Sequence, residues 1–265
     1  MLPSPNTSES RSSVNELLAA LMFFTRLPFW RIKQVPATSF NHVVTYWSLS
    51  GWLTGGTMVL TFVASSLLFP PSVALILAFI ARLLLTGALH EDGLADFFDG
   101  FGGGRDREST LRIMKDSHIG SYGVLGLILY YLLSFHSLSS LPPHSIPLLL
   151  WATDAWSKAL SAQLINRLPY ARTAETSKNK TVYTTMQTKD YAISLAGGMV
   201  PLLFLPLPLT IALLIPALMT FALMCYLFKK RLDGYTGDCC GALFLLCELS
   251  ARMGVLSYYT IYPLL

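Results

Sequence analysis

"ALILAFIARLLLTGALHEDGLADFFDGFGGG", residues 74–104, decides between a soluble and a membrane-embedded fold. Its first half, 74–89, is apolar enough to cross a bilayer. Its second half crowds Glu91, Asp92, Asp96 and Asp99 ahead of a glycine run. Carboxylates at this density repel one another and lose hydration beside lipid, so their placement needs a chemical reason.

The rest of the chain settles the environment. Of 265 residues, 53% are hydrophobic and 13% charged, and mean hydropathy is +0.51. A soluble domain carries about 25% charged residues, so the composition points to lipid. Apolar segments at roughly 45–69, 72–89, 120–140, 145–166, 191–206, 209–228 and 239–263 each approach the ~20 residues a bilayer core requires. The expected fold is all-α, a polytopic integral membrane bundle of about seven transmembrane helices. Residues 191–206 hold Gly197, Gly198 and Pro201, which predicts a tilted or broken span. Residues 14–30 are apolar for only about ten positions before Arg26 and Pro28, the length of an interfacial or re-entrant helix. The polar start has neither a basic region nor a small-residue cleavage pattern, so it reads as a disordered tail over 1–13. A single membrane-embedded catalytic domain follows over 14–265, with active-site loops near 90–119, 167–190 and 229–238.

Sixteen of the 19 Lys and Arg residues lie in four connecting segments, each separated from the next by two spans. The opposite connections, around "FPPS", "SSLPPHSIP" and "LPLPLT", contain none. By the positive-inside rule the charged loops are cytoplasmic and the chain belongs in the inner, cytoplasmic membrane. Cys225, Cys239, Cys240 and Cys247 lack the paired spacing of a zinc site and read as reduced thiols in apolar helices.

If 90–99 is helical, Asp92, Asp96 and Asp99 fall within about 60° on one face and span about 10 Å. Such a hard-oxygen face suits Mg²⁺ together with phosphate oxygens. A plain helix cap would mix in Lys, Ser or Asn instead. "GFGGGRDREST" then breaks the helix and adds Arg105 and Arg107, and "LRIMKDSHIGSYG" returns Lys115, Asp116, Ser117 and His118 to the membrane edge. Together these read as a site for a phosphorylated substrate. On a continuous helix His90 points about 160° from Asp92 and reaches the site through a bend near Gly87 or Gly93, or by acting across to a neighbouring helix. It reads as a general base or as a structural histidine, with Asp99 or Asp116 as the alternative base. Asp154 and Lys158, four apart inside a span, form either a structural pair or a substrate contact. Asp238, Gly241, Leu245 and Glu248 share one helical face, where Gly241 admits a neighbouring helix and both carboxylates face one cavity. Arg82 either neutralises the aspartate face or holds a phosphate.

"FFTRLP", "HEDGLADFFDG", "MKDSHIGSYG", "YAR" and "GYTGDCCGA", in this order, resemble the cobalamin synthases, the adenosylcobinamide-GDP ribazoletransferases. The resemblance runs from about residue 20 to 250. It implies a membrane enzyme that joins adenosylcobinamide-GDP to α-ribazole or its 5'-phosphate, releases GMP and requires Mg²⁺. Carried over, the acidic motif lands on His90, Asp92, Asp96 and Asp99 as catalytic residues, the three aspartates as metal ligands. Substrate-binding positions implied by the motifs and the adjoining charges are Arg26, Arg82, Arg105, Lys115, Asp116, Ser117, Arg172, Asp238 and Glu248. Lys115 stands where the family pattern has Arg, and Leu245 where it has Glu. Expected partners are the two substrates, the bilayer, and a second copy or other cobalamin-assembly enzymes; no nucleic-acid partner is expected. The competing readings are a CDP-alcohol phosphotransferase, whose motif needs Arg where Asp96 stands, and a cation- or proton-coupled transporter with Asp154, Lys158 and Glu248 as relay.

Overall fold

A computed structural model describes residues 11–172 and 184–262. The expected tail falls outside it through residue 10. From Arg11 onward the chain is tied down, because the Arg11 guanidinium pairs with Glu16 at 2.7 Å and with Asp190 at 2.8 Å.

Ten α-helices make up the fold among the described residues. α1 (Ser13–Phe24) has 12 residues, about 18 Å, too short to cross a bilayer. Helices occupy all seven segments expected to be apolar spans: α2 (Trp47–Ser65), α3 (Pro71–Thr86), α6 (Ser121–Ser139), α7 (Ile146–Ala162), α8 (Thr188–Met199), α9 (Leu207–Leu232) and α10 (Gly237–Ile261). By length and apolarity α6, α9 and α10 qualify alone as membrane spans. A fourth candidate is α3 taken with α4 (Leu89–Gly103), which is bent from it by 92°. α7 is short of the required length at 17 residues. The 19-residue α2 is rich in Ser, Thr and Gly and falls below the required apolarity. α8 continues into a 3-10 turn at Val200–Phe204, the break that Gly197, Gly198 and Pro201 predicted.

Two segments expected to be loops are helical. Residues 90–119 hold α4 and α5 (Arg107–Ile113), and Lys229, Lys230 and Arg231 form the last turn of α9, so the connection to α10 is residues 233–236 alone. The α3–α4 corner is built by Gly87 (φ 66°) and Ala88 (φ 58°) in succession. Gly87 takes this left-handed conformation without penalty and closes α3 by donating to Leu83, whereas Ala88 is an uncommon occupant.

α10 lies at the centre, with 67% of its span buried against 28% for α9 and 33% for α6. α6 turns Leu125, Ile128, Leu129 and Leu132 outward, as a lipid-facing helix does. α4 crosses α10 with almost no side chain between them: a Cβ on Gly93 would stand 2.9 Å from the Asp238 carbonyl oxygen, and one on Gly241 3.2 Å from that of His90. Small residues permit such an approach where no hydrophobic drive exists between helices in lipid.

Between these helices lies a dehydrated ionic network. Arg82 of α3 donates twice to Glu248 of α10 at 2.8 Å and once to the Tyr130 hydroxyl at 3.1 Å. It also stands 3.5 Å from Glu91 and 3.6 Å from Asp154. Arg252 pairs with Glu248, and Lys158 with Asp154, each at 2.5 Å. Three cations thus face three carboxylates, all six side chains 5% exposed or less. Unpaired, a buried charge of this kind costs several kcal/mol; paired and hydrogen-bonded, it becomes tolerable.

Two outcomes follow. Arg82→Met leaves a buried carboxylate uncompensated and should destabilise the protein by about 3–5 kcal/mol, whereas Arg82→Met with Glu91→Gln keeps the other two pairs and should recover part of that loss. Thermal unfolding in detergent reads both, and a double variant no more stable than Arg82→Met contradicts the pairing. Gly93→Val should cost about 1–3 kcal/mol by forcing α4 away from α10, and an unchanged melting temperature would show that the helices do not touch there.

Candidate active site

The site forms where α4, α10 and the segment after α7 converge. α10 begins at Thr236, whose hydroxyl accepts the Cys239 amide at 3.3 Å and starts the helix. Asp238 then sits in the first turn, where the helix dipole favours a carboxylate. One short parallel bridge aligns Tyr170 with Tyr235: Ala171 N–H donates to Tyr235 at 2.8 Å and Tyr235 N–H to Pro169 at 2.9 Å. It is clamped by Arg107, which donates to the carbonyls of Ala171 and Leu232, both at 2.7 Å. Burial raises the Tyr235 phenol above its ordinary range, so the hydroxyl stays neutral. Arg107 in turn opens α5, capped by Asp106, whose carboxyl the Ser109 amide holds below the usual range. The bridge delivers Arg172 to within 3.8 Å of Asp238.

A cavity of about 280 Å³ opens at this point, lined by Asp92, His90, Arg172, Asp238 and the rings of Phe24, Trp47 and Tyr170. Asp92 is exposed while its neighbours Glu91 and Gly93 are buried. The Phe24 and Trp47 rings stack at 5.0 Å with 8° between planes. His90 packs among Phe24, Trp47 and Phe244 at 6.0, 5.5 and 4.9 Å. Its Nε2 is buried without a hydrogen-bond partner among the described residues, a costly arrangement for a polar atom. The bend at Gly87–Ala88 brings His90 to the same cavity as Asp92.

Of the expected site residues, then, His90, Asp92, Arg172 and Asp238 meet. Arg26 does not line this cavity but an adjoining one that also contains Asp92. The aspartate face is divided. Both oxygens of Asp99 accept backbone amides, from Gly120 at 2.7 Å and Gly123 at 2.8 Å, so Asp99 caps α6 and does not line the cavity. Asp96 is half-buried and lies outside that lining too. Among the described residues no group of three or more His, Cys, Asp or Glu side chains is placed to hold a metal ion. Glu248 and Arg82 correct the expectation that they face substrate, because both are consumed in the buried network. The Asp154–Lys158 pair belongs to that network as well, joined to it through Arg82 at 3.6 Å. Arg105, Lys115, Asp116 and Ser117 are exposed and outside the cavity; Asp116 accepts from the His118 amide at 3.0 Å. Part of the expected 167–190 loop lies outside the described residues. The four cysteines are unpaired, three of them buried, as expected of reduced thiols.

Sequence reasoning missed Phe24, Trp47 and Tyr170 as cavity walls. Two of them lay in view, Phe24 inside "FFTRLP" and Tyr170 inside "YAR", but rings beside a charged residue read as packing until the fold turns them toward one space. Trp47 had no local signal.

Comparison with known proteins agrees with the resemblance carried by the motifs. An adenosylcobinamide-GDP ribazoletransferase of Shewanella frigidimarina is 37% identical over 247 residues, covering 92% of this chain and 95% of its own. Proteins of the same name from Shewanella putrefaciens and Shewanella oneidensis are each 36% identical over 239 residues, covering 89% of this chain and 91% of theirs. Neither the phosphotransferase nor the transporter alternative gains support. No solved structure matches. The match extends over residues 16–256, from α1 into α10, and the chain belongs to the cobalamin-5-phosphate synthase family.

Proposed function

We propose that this chain joins adenosylcobinamide-GDP to α-ribazole or its 5'-phosphate and releases GMP, with Asp92 and Asp238 as the acidic centre. The observation that carries the reading is the meeting of these two carboxylates, from separate helices, with Arg172 in one aromatic-walled cavity. A ribazole hydroxyl oxygen attacks the phosphorus attached to cobinamide. The bond from that phosphorus to the bridging oxygen breaks, and the bridging oxygen leaves with GMP. His90, which lines the same cavity as Asp92, is the side chain we assign to take the hydroxyl proton. A loose transition state asks for proton loss only late, so positioning carries most of the rate.

The donor set fits Mg²⁺. This ion typically binds through one or two carboxylates plus substrate phosphates and keeps several waters, so a three-residue protein cluster is not required. Asp92 and Asp238 would hold it, and when bound it would neutralise charge on the transferring and leaving oxygens. Arg172 orients Asp238 and adds positive charge toward the diphosphate.

The chain is a membrane protein, and we place its charged loops in the cytoplasm at the inner membrane. The support is that 16 of 19 basic residues lie in four stretches of chain, each separated from the next by two expected spans, while the alternate connections hold none. On that topology the cavity faces the cytoplasm.

Purified protein should release GMP only when both substrates and Mg²⁺ are present, and a chelator should stop it. Asp92→Asn and Asp238→Asn should each lower turnover by about a hundredfold or more while eluting as wild type. Near-normal release by either would remove that residue from the centre. A reporter fused after the last residue should respond only from the side opposite the cytoplasm, and a cytoplasmic response there would reverse the topology.

A further inference from the structure

Two cavities meet at Asp92. The aromatic one has been described. The second, of about 510 Å³, lies between α1, the α3–α4 corner and α6, with Arg26, Glu91, Ala95, Ile119 and Leu127 among its walls. The two share Phe23, Leu89 and Asp92 and no other residue. Asp92 is therefore part of a partition, with space for a ligand on each side.

Their chemistry differs. In the first cavity Phe24, Trp47 and His90, packed on one another, form an apolar floor, and the half-buried Tyr170 offers a ring of the kind that holds a planar heteroaromatic base. The second has Phe23 as its one aromatic ring and presents Arg26 instead. Glu91, also in its lining, is held by Tyr131 at 3.0 Å and by Arg82 at 3.5 Å. This cavity borders the outward apolar surface of α6, where Leu125 is 57% exposed, and of Ile119 just before that helix, which is 56% exposed. A substrate too large to enter can rest there against lipid and extend a charged arm toward Arg26.

We propose that the two cavities are separate substrate subsites on opposite sides of Asp92, the aromatic cavity taking the α-ribazole nucleoside and the Arg26 cavity the diphosphate-bearing corrinoid. This rests on the function proposed above and assigns each substrate its place. In-line displacement supplies the reason for two sides. The attacking hydroxyl oxygen forms its bond to phosphorus opposite the bridging oxygen, which departs with the electron pair of the broken bond as part of GMP. A phosphorus seated over Asp92 has one cavity behind it and one in front. The hydroxyl proton leaves on the nucleoside side, where His90 lies.

The test uses full-length protein in detergent, measuring KM for each substrate and the Kd of each alone. A Cβ on Gly237 meets no atom within 4 Å, so Gly237→Phe projects a ring into the aromatic cavity without a backbone clash. It should raise KM for α-ribazole about tenfold or more and change KM for adenosylcobinamide-GDP by less than about twofold. Arg26→Gln and Ile119→Trp, both at exposed positions, should do the reverse. Tyr170→Leu gives the nucleoside-side result should Gly237→Phe fail to fold. Variants of the two cavities that raise KM for the same substrate, or that move neither, overturn the assignment while wild-type turnover stands. Wild-type protein that forms no product overturns the proposed function, and this inference with it.

Discussion

The close approach of Gly93 to the start of α10 is the constraint on which the rest depends. Lipid supplies little drive for one apolar helix to seek another, so helices in a membrane associate where shape and polar contacts reward it. Here a Cβ would already crowd the Asp238 carbonyl. That contact fixes which residues of the two helices come into register. Asp92, one residue before Gly93, and Asp238, at the point of contact, open onto the same cavity. A larger residue at the crossing would separate the carboxylates without altering either.

The ionic network acts on the same crossing from the opposite side. Glu91 of α4 and Glu248 of α10 both answer to Arg82. Tyr131 and Tyr130 add hydroxyl donors to Glu91 and Glu248. Such a network contributes less to net stability than its short distances suggest, since dehydration offsets most of the Coulomb gain. What it does contribute is uniqueness. A slip of α4 by one turn would strand Glu91 in an apolar interior, and the cost of that stranded charge holds the acidic helix in register.

Much of the fold was legible in the sequence because its signals are long and repeated. Apolar segments of span length placed seven helices, and Gly241 announced a close helix neighbour. The site was legible in part. Asp92, His90, Asp238 and Arg172 stand in motifs whose chemistry is local, and they meet. Asp99 misled because a carboxylate on the helical face of a metal ligand looks identical in sequence to one that caps the next helix; only the position of Gly120 and Gly123 tells them apart. Glu248 and Arg82 misled for a similar reason. A charge inside an apolar run declares that it needs a partner, but the partner lies on another helix, and pairing across the bundle is a property of the fold. The aromatic walls escaped because a ring has no charge to explain.

Glu91 and Asp92 show how one short helix serves both purposes. Adjacent residues on a helix point about 100° apart, so two neighbouring carboxylates can border one cavity and still take different partners. α4 is held between α6, which takes Glu91 through Tyr131, and the open cleft, which takes Asp92. The bend of 92° after α3 makes this possible, because it carries α4 away from the line of the apolar run that precedes it. A straight continuation would leave the acidic face to be chosen by the tilt of a membrane span. The corner at Gly87 and Ala88 instead sets the rotation of α4 by backbone geometry, and the Glu91–Arg82 contact confirms it by charge. Three of the four crowded carboxylates are therefore not one cluster but three assignments made by one helix: Glu91 to the buried network, Asp92 to the cleft, and Asp99 to the start of α6.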